Sequence, residues 1–317
     1  MEDSLTILFQ GPVLYENEET YHCITSARKI FPKSNIILST WNDHKKFIDE
    51  KFYKIKNLEI VYSEDPGAPF CKPNSPLNVN RIIVSSKNGL EKVKTKYVFK
   101  CRSDIYFQSK NVINLYCKYK NTIESNLNIV SEKVLFSNQT SLNPKRIPIL
   151  YHLCDWIVAG NLKDVKKIFD IDLMPNEDFH WFLYNKKPED YITPGNLSRY
   201  MSEDYIVYKF CKKNLSNCIH DHYLDTNDNE QKLWLQIIAD NFIIMPNKLI
   251  GIKSLKYHNV ASFHLYKSFT FYEWQKLSKL NNSIILSLLD QIKIISYKLL
   301  ADLYKILFII KIILSHY

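Results

Sequence analysis

The chain has 317 residues, 46% of them hydrophobic and 14% aromatic, with only 6 glycines. That is enough apolar side chain for one large domain or two small ones, and it excludes a repetitive or low-complexity chain. The net charge of +9 is scattered along the length with no Arg/Lys block among aromatics, so no nucleic-acid footprint is indicated. A phosphate-bearing substrate or an anionic membrane face explains so mild a basic excess. Seven cysteines, an odd number without a CxxC pair, argue against a disulfide framework or a zinc site and for small core residues in a reducing compartment. The start, MEDSLTILFQG, is acidic with a short apolar run, which is no secretory signal; the expected location is the cytosol.

Residues 5–9 read as a first strand, ended by Gln10-Gly11-Pro12. A helix over 20–31 stops at Pro32, and a second strand over 35–40 runs into Trp41-Asn42-Asp43. The third strand, 58–62, ends in Ser63-Glu64-Asp65-Pro66-Gly67, and a polar, Pro-rich loop follows. Val79, Ile82, Ile83, Ser86, Leu90 and Val93 recur at helical spacing. Tyr97-Val98-Phe99 then open a strand that runs into Arg102-Ser103-Asp104. Strands alternating with helices give a parallel sheet with right-handed crossovers, which gathers the four polar exits on one edge.

Beyond Asp104 the pattern loosens. A helix is expected over 113–123, a short strand over 134–137, and a strand over 151–160 with Asp155 and Trp156 in its middle. Asn161 caps a helix over 162–169, and Ser202-Glu203-Asp204 opens a helix to about 212. Residues 171–200 and 216–231 read as irregular, and 234–245 as either helix or strand. From 282 to 317 Ile and Leu dominate, but no uncharged run reaches the roughly 18 to 20 residues of a spanning helix. An interfacial helix lying on a membrane is expected, in competition with a terminal helix packed on the domain. No P-loop, G-x-G-x-x-G, G-x-S-x-G or H-E-x-x-H occurs, which removes the common NTPase, dinucleotide, hydrolase and zinc-protease readings.

An ionised Asp where a buried strand leaves the sheet needs a cation or donors. Asp104 is therefore assigned to a divalent metal, Mn²⁺ or Mg²⁺, that carries the diphosphate of an activated sugar. The competing reading is a salt bridge to Arg102 or Arg81. Many nucleotide-sugar transferases carry a second acid where Arg102 stands, so Arg102 is assigned to phosphate instead. Gln10, Gly11, Pro12, Thr40 and Ser103 belong to the same sheet edge and are assigned with it to the nucleotide-sugar. Asp65 is assigned to the nucleoside, against an ordinary turn acid. Asn80 and Arg81, near a helix start, are assigned to phosphate. Glu203 and Asp204 are the general-base candidates, against acids that merely complement a helix dipole. Asp155 is the more unusual acid and the third catalytic candidate, lining the acceptor pocket with Trp156 beside it as a stacking platform for an acceptor sugar. His258 is a late metal ligand at most, and His220-Asp221-His222 reads as a polar loop.

QGPV (10–13), SARKIFP (26–32), IILSTW (36–41), SEDPG (63–67) and the run from Asn78 to Asp104 together resemble the WavE lipopolysaccharide-synthesis family. YHLCDWIVAG (151–160) and YMSEDY (200–205) are similar to its later blocks. The resemblance implies a bacterial glycosyltransferase of GT-A-like fold acting in surface-polysaccharide assembly. The expected architecture is α/β, with a Rossmann-type, mostly parallel sheet flanked by helices. Residues 1–107 would form a nucleotide-sugar-binding half, 108–281 an acceptor half of the same domain, and 282–317 a helical membrane-associating tail. The expected partners are a nucleotide-sugar donor, a glycolipid or polysaccharide acceptor and the inner face of the cytoplasmic membrane. Two rivals are a sugar-phosphate transferase and a non-catalytic membrane-bound assembly protein.

Overall fold

A computed structural model describes residues 1–72, 75–122, 124–190, 192–193, 195–257, 265–280 and 288–315. In chain order the elements are β1 (Leu5–Gln10), α1 (Glu19–Ile30), β2 (Asn35–Trp41), α2 (Glu50–Tyr53) and β3 (Leu58–Ser63). A small hairpin, β4 (Phe70–Lys72) and β5 (Ser75–Pro76), precedes α3 (Val79–Lys92), β6 (Tyr97–Arg102), β7 (Ile105–Phe107) and α4 (Asn111–Tyr119). Then come β8 (Val134–Ser137), β9 (Cys154–Asn161), α5 (Leu162–Phe169), α6 (Asn176–Phe179) and α7 (Ser202–Asn214). The chain continues with α8 (Asp228–Asn241), β10 (Phe242–Met245), α9 (Asn247–Ile250), β11 (Ile252–Ser254), α10 (Phe271–Leu277) and α11 (Leu288–Ser315).

Seven strands form one sheet in the order β10-β8-β9-β6-β1-β2-β3. The pairs β1–β2, β2–β3, β1–β6 and β8–β10 are parallel, and β9 runs antiparallel to both β6 and β8. The mostly parallel α/β architecture is thus present, with a C-terminal helix. One strand of this mostly parallel sheet, β9, runs antiparallel, and that carries a consequence. Its first residues, rather than its last, lie at the edge where the parallel strands end. Cys101 pairs with Ile157, so Asp155 and Trp156 sit at the start of β9, level with the exit of β6, and not in mid-strand.

Successive side chains on β1 point to opposite faces of the sheet. Phe9 meets Phe107 edge to face, and Phe107 meets Phe31 in the same way. Leu8 meets α3 on the other face. A Cβ at Gly89 would lie 2.6 Å from Leu8 Cδ1 and 2.9 Å from the Ser39 side chain, so only glycine lets the helix approach this closely. Val79, Ile83 and Leu90 of α3 are buried on that contact, each contributing about 1.5–3 kcal/mol. The helix is thereby fixed with its first turn at the carboxyl edge of the sheet.

Residues 234–245 contain both elements that periodicity left open, because α8 ends at Asn241 and β10 starts at the next residue. The Asn161 side chain accepts the Lys163 N–H, the cap expected for α5. Among the described residues no helix is long and apolar enough to cross a membrane. Along α11, Ile292, Ile295, Leu299, Leu303, Ile306 and Ile310 are exposed at spacings of three and four residues.

Candidate active site

The strand order β3-β2-β1 reverses direction at β6, so β1 and β6 flank the topological switch point of the sheet. In open α/β sheets, the crevice beyond the carboxyl ends at such a point is where ligands bind. A cavity of about 800 Å³ lies there. Its wall includes Gln10, Gly11 and Pro12 from the exit of β1, Asp65 beyond β3, Arg81 from α3, and Arg102, Ser103 and Asp104 beyond β6. Asp155 and Glu203 close it from the other side.

Backbone and side-chain bonds fasten the exits to one another. Gln10 pairs with Arg102 in the sheet register, the Ser103 N–H donates to the Gln10 carbonyl (3.0 Å), and the Gly11 N–H donates to the Ser39 carbonyl (3.0 Å). Ser103 Oγ donates to the Pro12 carbonyl at 2.6 Å, and Ser85 Oγ of α3 lies 2.6 Å from Gln10 Oε1. Gly11 adopts φ +114°, a backbone conformation that a side chain would strain.

Among the described residues four carboxylates reach the cavity, three of them beside an arginine or lysine and the fourth beside a histidine. Arg81 grips Asp65 through Nε (2.7 Å) and Nη2 (2.5 Å), and the Gly67 N–H adds a third bond at 2.9 Å. Burial opposes the charge on Asp65, but those donors outweigh it and hold the carboxyl below its usual range. Arg102 forks onto Asp104 through Nε (2.9 Å) and Nη2 (3.3 Å), while Ser254 Oγ donates to Asp104 Oδ2 at 2.5 Å. The short β7–β11 pairing delivers Ser254 to that position. The Arg102 guanidinium carbon lies 5.0 Å from the Tyr257 ring centroid and 5.7 Å from that of Trp156. Burial disfavours its charge; Asp104, Asp155 and Tyr257 together raise its pKa above the ordinary value all the same.

Asp155 faces Lys100, whose Nζ is 3.6 Å from Oδ2 and 3.2 Å from the Asp155 carbonyl. Lys100 is wholly enclosed in the central strand β6, and burial depresses its pKa. Glu203, in the first turn of α7, lies 3.7 Å from His152 Nε2. His152 Nδ1 is 2.8 Å from the Thr140 carbonyl, which can only accept, so Nδ1 carries a proton and Nε2 faces the carboxylate. His44 and Trp41 complete the wall near Asp65. His44 Nδ1 accepts the Val13 N–H at 3.0 Å, and burial lowers its pKa.

Several expected residues lie elsewhere. Thr40 is fully buried within β2, and among the described residues its hydroxyl has no partner. Asn80 is used structurally: its amide donates to the Met174 carbonyl (3.1 Å) and its oxygen accepts the Met174 N–H (2.8 Å). Asp204 points away from the cavity into the core. It is fully enclosed 3.5 Å from His220 Nε2, and burial raises its pKa. A helix turns about 100° per residue, so Glu203 and Asp204 cannot share a face. Trp156 does not line the cavity; it stacks with Tyr257 and supports Arg102. His258 lies outside the described residues. Conversely, His152, Lys256, Tyr257 and Lys267 line the cavity without having been singled out. Only the aromatic-rich block around His152 marked its neighbourhood in the sequence.

Asp104 shares the cavity with Asp65 and Arg81, as the sheet argument requires, but its oxygens are occupied by Arg102 and Ser254. This is the salt bridge that competed with the metal assignment. Among the described residues no group of three or more His, Cys, Asp or Glu could hold a metal ion. As it stands, paired with Arg102 and Ser254, Asp104 does not fit a divalent ion.

The fold and cavity define an α/β protein with its ligand crevice at the switch point of a mostly parallel sheet. A family model described as WavE lipopolysaccharide synthesis matches residues 5–307, and the chain belongs to that family. No curated protein matches. Among solved structures the chain is similar to a cytidylyltransferase from Leptospira borgpetersenii serovar Hardjo-bovis, at 11% identity and TM-score 0.35 over 57% of this chain and 70% of that one. It is similar also to a structure described as a glucose-1-phosphate thymidylyltransferase from Bacillus anthracis in complex with sucrose. There the identity is 11% and the TM-score 0.32, over 53% of this chain and 76% of that one. Likeness at that level carries no argument about chemistry.

Proposed function

We propose that this protein is a glycosyltransferase that moves a sugar from a nucleotide-sugar donor to a lipopolysaccharide, lipooligosaccharide or capsule acceptor. The observation that carries the proposal is the convergence of two unlike groups on one cavity. Arginines beside the β1 and β6 exits suit a diphosphate, and a carboxylate–imidazole pair stands opposite. The nucleoside sits toward Asp65, Trp41 and His44, the diphosphate toward Arg81 and Arg102, and the sugar toward Asp155 and Glu203.

In the reaction an acceptor hydroxyl oxygen forms a bond to the anomeric carbon. The bond from that carbon to the phosphate oxygen breaks, and the nucleotide leaves with the electron pair. The hydroxyl proton goes to Glu203, with His152 Nε2 placed to share it.

The exposed apolar row of α11, with Lys298 exposed beside it, supports a peripheral position at the inner face of the cytoplasmic membrane, where a lipid-linked acceptor is presented. Co-flotation with vesicles containing anionic lipid is expected for the full chain and is expected to be lost when Ile295, Leu299 and Ile306 are changed together to Ser. Co-flotation unchanged by that substitution would remove the membrane assignment.

The test of the reaction is product mass. The chain is incubated with a panel of nucleotide-sugars and lipooligosaccharide acceptor, and the acceptor is expected to gain the mass of one glycosyl residue. A gain of sugar plus phosphate would identify a sugar-phosphate transferase instead. No gain from any donor, with Glu203→Gln cells still making complete polysaccharide, would identify an assembly protein.

A further inference from the structure

We infer that the donor diphosphate is held by protein cations alone, with Arg102 occupying the place a divalent ion would take. This rests on the glycosyl-transfer reading and specifies how its donor is bound. Three observations carry it.

The first is occupancy. Both oxygens of Asp104, the strand-end acid, are taken by the Arg102 fork, and Ser254 adds a further donor to one of them. A metal at Asp104 would have to displace a bidentate pair whose carboxylate is almost wholly enclosed, Asp104 being only 1% exposed. Removing one partner from such a pair leaves an uncompensated charge, which is strongly unfavourable.

The second is charge balance. The wall carries Asp65, Asp104, Asp155 and Glu203 against Arg81, Arg102, Lys256 and Lys267, and Lys100 stands directly behind Asp155. Among the described residues the wall thus carries four cations against four carboxylates before either histidine is protonated. A hard divalent ion needs surplus oxygen charge from the protein, which so balanced a wall does not offer.

The third is the mounting of Arg102. Two of the five guanidinium N–H groups are used on Asp104, the rings of Tyr257 and Trp156 flank it, and its side chain is 24% exposed. The fork is fixed in direction and still open to the cavity, as an arginine must be to receive a phosphate.

When the bond between anomeric carbon and phosphate oxygen breaks, the electron pair stays on the phosphate. In this account Arg102, with Arg81 and the cavity lysines, meets that charge, and no further reactant is required.

The experiment is calorimetric titration of UDP, GDP, CDP and ADP into the full chain, in excess EDTA and separately in Mn²⁺. The expected result is that one nucleotide binds, with affinities in EDTA and Mn²⁺ agreeing within about twofold. Arg102→Lys, which keeps the charge and removes the fork, is expected to weaken that affinity about tenfold or more in both buffers. Binding that needs Mn²⁺ would overturn this inference and leave the donor reading standing. An Arg102→Lys variant that binds as tightly as the native chain would overturn it too. Binding of no nucleotide under either condition would overturn both.

Discussion

The strands β1, β2 and β3 open onto a cavity at each end, and the two cavities differ in kind. At the amino edge a space of about 350 Å³ is bordered by Thr6, Asn35, Asn57, Glu59, Lys92 and Lys94. Arg28 of α1 donates through Nη1 to the carbonyls of Phe31 (3.3 Å), Pro32 (3.0 Å) and Ser34 (2.9 Å). That nitrogen holds the turn between α1 and β2, while Nε has no partner among the described residues. Thr6 and Thr95 satisfy one another at 2.7 Å. At the carboxyl edge the cavity is more than twice as large, and its arginines are bound to carboxylates rather than to backbone. A guanidinium that holds main chain serves the fold. One that is forked onto a carboxylate beside open space can also take a phosphate. The same strands therefore carry a structural end and a chemical end.

The sharpest way to break this contrast is at the base. Glu203→Gln keeps the shape and removes the proton acceptor, so transfer is expected to fall by about 10²–10⁴-fold. Donor affinity should stay within about twofold. Steady-state rates and titration on the same preparation separate the two, and an equal loss in both would make Glu203 a binding residue.

The next effect compares the two ends directly. Arg81→Ala is expected to weaken donor binding about tenfold or more, since a charge-assisted contact is lost from the cavity. Lys94→Ala at the amino edge should leave it unchanged. Equal losses would erase the distinction between the edges.

A smaller effect is read in stability against pH. The Asp65 carboxyl lies below its ordinary value of 3.8 in the folded chain. A lowered carboxylate pKa stabilises the fold above the ordinary value, and that contribution vanishes as pH falls through the lowered one. The native chain should therefore melt above Asp65→Asn at pH 7, and the gap in Tm should close below about pH 3.8. A gap that widens on acidification would contradict the Arg81–Asp65 assignment.

The smallest effect concerns Thr40. Its enclosed, unpartnered hydroxyl makes Thr40→Val neutral or stabilising by about 1 kcal/mol, with donor binding unchanged. Thermal melting and titration check both halves of that statement. A loss of affinity would return Thr40 to the site.

What the sequence disclosed follows from these geometries. Polar residues at the ends of apolar strands stood out because a core does not ask for them, so Gln10, Asp65, Arg102 and Asp104 were legible as one edge. The far wall was harder to read. Asp155 reaches the cavity only because β9 runs antiparallel, and the residues of β9 do not encode their direction. Glu203 and Asp204 are adjacent in the chain and alike in chemistry, and only the rotational setting of α7 sends one to the cavity and the other to His220. His152 lies in an irregular approach to β9, held by the Thr140 carbonyl, and no spacing announces such a contact. Lys256 and Tyr257 arrive through the β7–β11 pairing, which joins segments about 150 residues apart.

The most direct test of the central claim is hydrogen–deuterium exchange of the full chain with and without its nucleotide-sugar donor. Slower exchange is predicted at residues 10–14, 65–67, 77–82, 102–104 and 254–257, with no change at 35–37, 57–59 and 92–94. Protection confined to the latter set, or absent from residues 102–104, would contradict a donor seated at the carboxyl edge of the sheet.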